Sequence, residues 1–323
     1  MSFDLPYPDL AQERLGNTGT PGVWHVDSGL PGRTVMVTSL VHGNELCGAW
    51  ALKTLLSSGL RPRRGAWILA FCNLDGYDHF DLQRPDASRY LDEDLNRVWL
   101  DERLAAAGNR ERRRAAELLP WVKRADWLLD LHSMHEPSKP LLLTGVLPRN
   151  IALARTLAAP EHVIVDAGHK DGVRLRDYGR FGDPGDDACA LLIECGYHGD
   201  PDARWVAVDM VARMLREAGV LDADQIPQDW LRPDPLAQRV LEVTDAVVAP
   251  SMDVRFAQDW QGLECLSKAG ALIGWADGQP ITTPYDNCTL VMPSLRQLRP
   301  GVTVVRLARD YSPLPQAQAA AAS

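Results

Sequence analysis

The sequence lacks any run of about 18 apolar residues, so no transmembrane helix is expected. Its opening, Met1-Ser2-Phe3-Asp4-Leu5-Pro6, has neither a basic start nor an apolar stretch, so a secretory signal is not expected and a cytoplasmic location is. Closely spaced cysteine pairs are missing too. The six cysteines, at 47, 72, 189, 195, 265 and 288, show no CxxC spacing and fit reduced, buried thiols rather than a disulfide frame. Cys195 has no evident base in its own segment and reads as packing, not as a nucleophile. Positive charge is in deficit: 34 Lys and Arg against 43 Asp and Glu give a formal charge of -9, which argues against a general nucleic-acid or membrane-surface partner. Four arginines fall within residues 110–114, but beside Glu111 and Glu117 they read as a solvated helix face.

What is present is ordinary in bulk and specific in detail. At 323 residues, 46% hydrophobic and 24% charged, the chain suits one large soluble domain or two unequal ones. An apolar, strand-like run from residue 34 ends in His42 and Glu45, and an apolar-periodic segment follows at 46–56. An imidazole and a carboxylate three residues apart, where a strand becomes a helix, can reach one cation. That spacing alone also fits a solvated pair on a helix face. Two further strand ends lift the metal reading: the run closing on Asp130-Leu131-His132, and the run Ile193-Glu194-Cys195-Gly196. Ligands of open α/β sheets bind outside the carboxyl ends of the strands, so the three ends are expected to converge. A catalytic zinc takes three protein ligands and leaves one position for water, which makes His132 the expected third. Glu194 sits in an apolar setting where an unpaired carboxylate is costly, so a function is the better account of it.

Strand signals at 22–26 and 65–72, alternating with helical ones, point to an α/β fold with a mainly parallel mixed sheet over about residues 20–210. The polar stretch 73–99 is long for a connection without regular structure, which is a mark of function. Within it, Arg89, Asn96 and Arg97 suit a carboxylate or a developing oxyanion. A second polar, Gly-rich loop at 169–187 is placed to form a pocket wall. A Pro- and Asp-rich link at 226–235 precedes short strands at 240–248, 255–256, 271–275, 288–292 and 302–307, the pattern of a smaller β-domain. The expected division is a catalytic domain at 1–225, a β-domain at 226–312, and a disordered tail at 313–323.

The segments His42-Gly43-Asn44-Glu45, Arg89 to Arg97, Asp130-Leu131-His132-Ser133 and Ile193-Glu194-Cys195-Gly196 resemble, in order and spacing, the motifs of the succinylglutamate desuccinylase and aspartoacylase family, itself related to the zinc carboxypeptidases. The resemblance covers about residues 34–200. It implies one Zn2+ per chain held by His42, Glu45 and His132, with Glu194 as general base and acid. It also implies an oxyanion contact from Arg89, a substrate carboxylate held by Asn96 and Arg97, and Asp94 in support. His135 then reads as a rim residue rather than a fourth ligand. The family's side-chain-reading arginine has no clear counterpart: Arg174, Arg176 and Arg180 all qualify, with Arg180 preferred. Residues 268–274 and 279–288 resemble the family's barrel-like C-terminal domain, with Tyr285 the positional candidate for a substrate contact. The implied activity is hydrolysis of the amide of an N-acyl amino acid or a related small amide. Alternatives are a carboxypeptidase acting on short peptides and a non-catalytic metal- or ligand-binding homologue. The partner is then a small molecule, and the sequence leaves homo-oligomerisation open.

Overall fold

The structure, a computed structural model, describes residues 2–106, 108–168 and 172–312. The chain forms two compact units that divide between Gln238 and Arg239. Residues 226–238, expected to open the C-terminal domain, instead lie with the first unit. The physical reason is anchoring. Trp230 is buried, the Arg213 guanidinium donates to the Arg232 carbonyl at 2.9 Å, and it pairs with Asp234 at 2.7 Å. The expectation of disorder at 313–323 lies outside the described residues.

In the first unit, β1 (Val23–Asp27) runs antiparallel to β3 (Ala66–Phe71) at one edge. Next come β2 (Thr34–Ser39), β4 (Trp127–Met134) and β7 (Cys189–Tyr197), each parallel to its neighbour. Antiparallel β5 (Leu141–Leu143) and then β6 (His162–Val165) follow, in the order β1-β3-β2-β4-β7-β5-β6. The central strands are apolar on both faces because helices cover both, as parallel sheets require. Helices α1 (Leu46–Ser57) and α6 (Ala203–Glu217) pack on one face. There Gly48 approaches so closely that a Cβ would meet Leu131 at 2.8 Å. On the other face Met36, Ile68, Leu128 and Ala190 form a cross-strand row under Ala115, Leu118 and Val122. Each large apolar side chain buried in this way contributes about 1.5–3 kcal/mol.

The stretch expected to be an irregular loop is more structured than its polarity suggests. It contains α2 (Leu74–Asp78) and 3-10 turns at Pro85–Ser88 and Leu95–Arg97, and is followed by α3 (Asp101–Ala105) and α4 (Arg110–Val122). The arginine-rich start of α4 is not merely a solvated face. Glu111 is buried and accepts from the backbone N–H groups of Leu91, Asp92 and Glu93 at 2.8, 3.1 and 3.2 Å. Arg110 pairs with Asp92, Arg112 with Glu93, and Arg114 donates to the Cys72 and Phe71 carbonyls. The helix therefore pins the segment that carries Arg89, Asn96 and Arg97. A further α-helix of this unit is α5 (Pro148–Leu157).

The second unit is built from β8 (Arg239–Val248), β9 (Val254–Phe256), β10 (Cys265–Leu266), β11 (Leu272–Ala276), β12 (Gln279–Thr282), β13 (Cys288–Val291) and β14 (Thr303–Asp310). They pair antiparallel as β8-β14-β13-β10 and as β12-β11-β9. Leu290, Val304, Val305 and Ile273 lie at its core, with Tyr285 packed against them. All six cysteines are free, and five are buried; Cys265 is exposed, against expectation. Burial pushes the Cys195 thiol well up, as a packing role requires.

Candidate metal centre

Parallel β2, β4 and β7 deliver their carboxyl ends to one edge of the sheet. After β2 the chain turns sharply at Leu40, whose φ of 52° is in the left-handed region. It leaves the sheet through His42 and enters α1, with Glu45 at the N-cap position. An N-cap side chain ordinarily accepts from its own helix; Glu45 does not. Its Oε1 accepts from His42 Nδ1 at 2.7 Å and from Arg89 Nη1 at 3.0 Å, and its Oε2 accepts from the Ser133 N–H at 3.2 Å and lies 2.7 Å from His132 Nδ1. The outer nitrogens of both rings face other carboxylates, His42 Nε2 at 2.9 Å from Asp94 and His132 Nε2 at 2.9 Å from Asp130. Neither His132 contact has the alignment of a hydrogen bond, and Nε2 and Asp130 Oδ2 are buried without an aligned partner.

These residues fit a divalent transition cation. Two imidazoles and a carboxylate are a ligand set that zinc takes. His42, Glu45 and His132 each offer a ligand atom within 4.8 Å of the others. Carboxylates behind both rings are the partners that orient metal-bound histidines and raise their basicity. Sequence reading had Asp94 in support but missed Asp130. The available signal was strand parity, since residues i and i+2 share a face. Thr38, opposite Asp130 in the β2–β4 register, donates to its Oδ1 at 2.6 Å and fixes the carboxylate.

The electrostatics of the cluster are polarised. Burial alone would raise Glu45, but His42 and His132 outweigh it and hold the carboxyl well below its ordinary value. Burial likewise opposes charge on His132, yet Asp130 and Glu45 keep it well above the usual imidazole range. Burial would also raise Asp94, but His42 and Arg89 dominate and lower it.

Glu194 faces His132 directly in the β4–β7 register. Its Oε2 is buried without a hydrogen-bond partner. Burial first, and then the charge of Glu45, push its carboxyl up to about 8, against the opposing pull of His132, Arg89 and Arg174. A carboxyl held near neutrality is suited to take and return a proton.

The other expected residues divide. Arg89 joins the cluster, through Glu45 at 3.0 Å and Asp94 at 3.5 Å. The Asn96 carboxamide oxygen accepts from the Leu175 N–H at 3.0 Å, tying two loops together, and Arg97 donates to the Asn96 carbonyl at 2.8 Å. Arg180 is not brought in: Asp186, Asp187 and Asp126 hold it at the surface, 42% exposed. Arg174 and Arg176 are the buried arginines of that loop, and Arg174 Nη1 and Arg176 Nε and Nη1 have no partner. In the second unit the Tyr285 hydroxyl shares a 2.6 Å hydrogen bond with Thr244.

Gly43 shows how tightly the turn is built. A Cβ there would meet the Gly76 carbonyl carbon at 2.2 Å, Tyr77 N at 2.4 Å and Ser88 O at 2.5 Å, all backbone atoms that cannot rotate aside. Gly43→Ala is therefore expected to destabilise the protein by about 1–3 kcal/mol, the usual range for overpacking. Because the displaced turn carries His42 and Glu45, divalent-cation affinity falls with it. Chemical denaturation and cation titration of the variant check both; wild-type values in either would show that the turn has slack.

Comparisons with known proteins bear on the fold and on the family it resembles. The family model of the succinylglutamate desuccinylase/aspartoacylase catalytic domain matches residues 31–185, a span that ends before Glu194. No curated protein sequence matches the chain. Among solved structures, the fold is similar to a succinylglutamate desuccinylase/aspartoacylase from Rhodobacter sphaeroides, at TM-score 0.66 and 20% identity over 90% of this chain and 89% of that one. It is also similar to the succinylglutamate desuccinylase of Chromobacterium violaceum, at 0.65 and 17% over 92% and 90%. A third is the product-bound ectoine utilization protein EutE (DoeB) of Ruegeria pomeroyi, at 0.63 and 16% over 88% of each chain. Over residues 31–185, just under half of its length, the chain thus matches the catalytic-domain model of the succinylglutamate desuccinylase/aspartoacylase family.

Proposed function

We propose that this chain is a cytoplasmic zinc-dependent amidohydrolase that removes the acyl group from the nitrogen of an N-acyl amino acid or a related small amide. The observation that carries the reading is the partnerless carboxyl oxygen of Glu194, in register beside the His42, Glu45 and His132 cluster. When bound by those three residues, a zinc ion lowers the pKa of water and polarises a carbonyl. Glu194 removes a proton from the attacking water as the C–O bond forms and the carbonyl electrons move onto oxygen, and then delivers it to the leaving nitrogen as the carbonyl re-forms and the C–N bond breaks. Arg89, whose guanidinium reaches Glu45 and Asp94, turns toward the substrate oxygen on which charge develops.

Substrate carboxylates call for arginines. Asn96 and Arg97 hold one carboxylate, and the partnerless nitrogens of Arg174 and Arg176 take over the anion-reading role expected of Arg180. Arg174 and Arg176 each pair with one aspartate, Asp166 at 3.4 Å and Asp177 at 3.0 Å, and keep further buried nitrogens for an anionic guest, whereas three aspartates surround the solvated Arg180.

A hydrolysis screen of the zinc-reconstituted protein tests it, with N-acetyl, N-formyl and N-succinyl derivatives of acidic, neutral and basic amino acids, and short peptides in parallel. Turnover of an N-acyl amino acid that disappears on chelation is the expected result. Cleavage confined to peptides would replace the proposal with a carboxypeptidase. Stoichiometric zinc with no turnover of either class would favour a binding homologue.

A further inference from the structure

A second convergence of metal-ligating side chains lies in the first unit and takes no part in the proposed hydrolysis. Asp86 comes from the 3-10 turn Pro85–Ser88, His135 from the residue after β4, and His198 from the residue after β7. The two histidines are brought together by the backbone, since the His198 N–H donates to the Met134 carbonyl at 2.9 Å. His135 Nδ1 lies 3.1 Å from Asp86 Oδ1 and 3.2 Å from His198 Nε2, and the rings meet edge to face with centroids 4.7 Å apart. His198 Nδ1 is engaged by the Ser133 hydroxyl at 2.7 Å, which leaves Nε2 to face inward.

Protons satisfy this arrangement poorly. One proton on His135 Nδ1 lies along the line to Asp86 or the line to His198, or is split weakly between them, and the remaining contact sets groups of like polarity against each other. A cation satisfies all three donors at once. Three donors about 2 Å from one ion at tetrahedral angles sit about 3.4 Å apart, close to the observed 3.1 and 3.2 Å. The Ser133 contact supplies the outer partner that orients a metal-bound imidazole.

We propose that Asp86, His135 and His198 form a second divalent-cation site, for a transition ion such as Zn2+ or Co2+, beside the first. Two imidazoles and one carboxylate select such ions over Mg2+ and Ca2+, which prefer oxygen ligands. Side-chain exposure of 37% at Asp86 and 16% at His135 gives water access to the remaining coordination positions, and makes this the weaker site of the two. Ser133 joins the sites, its N–H on Glu45 and its hydroxyl on His198.

The test counts ions, and so stands apart from whether the protein hydrolyses amides. The full chain is stripped by chelation, dialysed against increasing free Zn2+, and analysed for metal per chain, with Co2+ as a second probe. Wild type binds two ions in two affinity classes; His135→Ala and Asp86→Ala each keep only the tighter one, and His42→Ala keeps only the weaker. Asp86 and His135 are partly exposed, so truncating them leaves the core packed. A wild-type chain that saturates at one ion, or two ions retained by both His135→Ala and Asp86→Ala, overturns the proposal.

Discussion

Glu194→Gln is expected to lower kcat about 10^2–10^4-fold, the range for a general acid–base group, while leaving zinc stoichiometry unchanged. The same substitution should make the metal-free protein more stable at alkaline pH. Burial and the charge of Glu45 raise the Glu194 carboxyl from about 4.5 to about 8 in the folded chain. A raised carboxyl favours the folded state while it is protonated. Its contribution is therefore fully present below about 4.5, and is lost as pH rises toward 8. Glutamine fills the same volume and has no proton to lose. Metal-free wild type and variant should then match in Tm near pH 4, and the variant should be ahead at pH 8 and above. The comparison needs metal-free protein because a cation beside Glu45 removes the repulsion that lifts Glu194. Hydrolysis at the wild-type rate by the variant, or a lower Tm at pH 8, would contradict the assignment. Loss of activity with a gain of stability is the mark of a group held in a costly setting for its chemistry.

Residues that terminate apolar runs were legible from the sequence. His42, Glu45, His132 and Glu194 each follow or close a buried strand, and parallel pairing brings such ends together whatever the loops between them do. The arginines were not legible in the same way. Arg174, Arg176 and Arg180 lie at similar distances from Glu194 along the chain, and only the fold shows that Asp183, Asp186 and Asp187 cluster around Arg149 and Arg180 at the surface. Polar composition also misled at Glu111, which looks solvated beside four arginines yet is buried by the backbone N–H groups it accepts from. Asp130 left only its strand parity with His132 as a local trace, and His198 left none. Their roles depend on partners 92 and 65 residues away, Thr38 across the β2–β4 register and Ser133 on the neighbouring strand.

Glu45→Gln should remove binding at the first cation site and, separately, weaken the fold. The two carboxylate oxygens of Glu45 meet His42, His132, Arg89 and the Ser133 N–H. Glutamine replaces one of these acceptors with a donor and removes the charge that balances a buried guanidinium and imidazoles. Breaking a buried charged cluster of this kind costs about 3–5 kcal/mol. The loss should vary with pH in a defined way. Glu45 is held well below its ordinary value, so it stabilises the fold above the unfolded carboxyl range, and that contribution is lost as pH falls through its folded value. His132 is held well above its ordinary value, so its contribution is present below about 6.5 and is lost as pH rises through the folded value. The stability gap between wild type and Glu45→Gln should thus be widest between these limits and narrow on both sides. A cation takes the place of the His132 proton, so binding at this site releases protons and weakens as pH falls. Thermal unfolding of both metal-free proteins from pH 4 to 9, with zinc titrations at three pH values, checks each part. Zinc affinity retained by Glu45→Gln, or a gap that does not change with pH, would mean that Glu45 is not the group that binds the two histidines into one site.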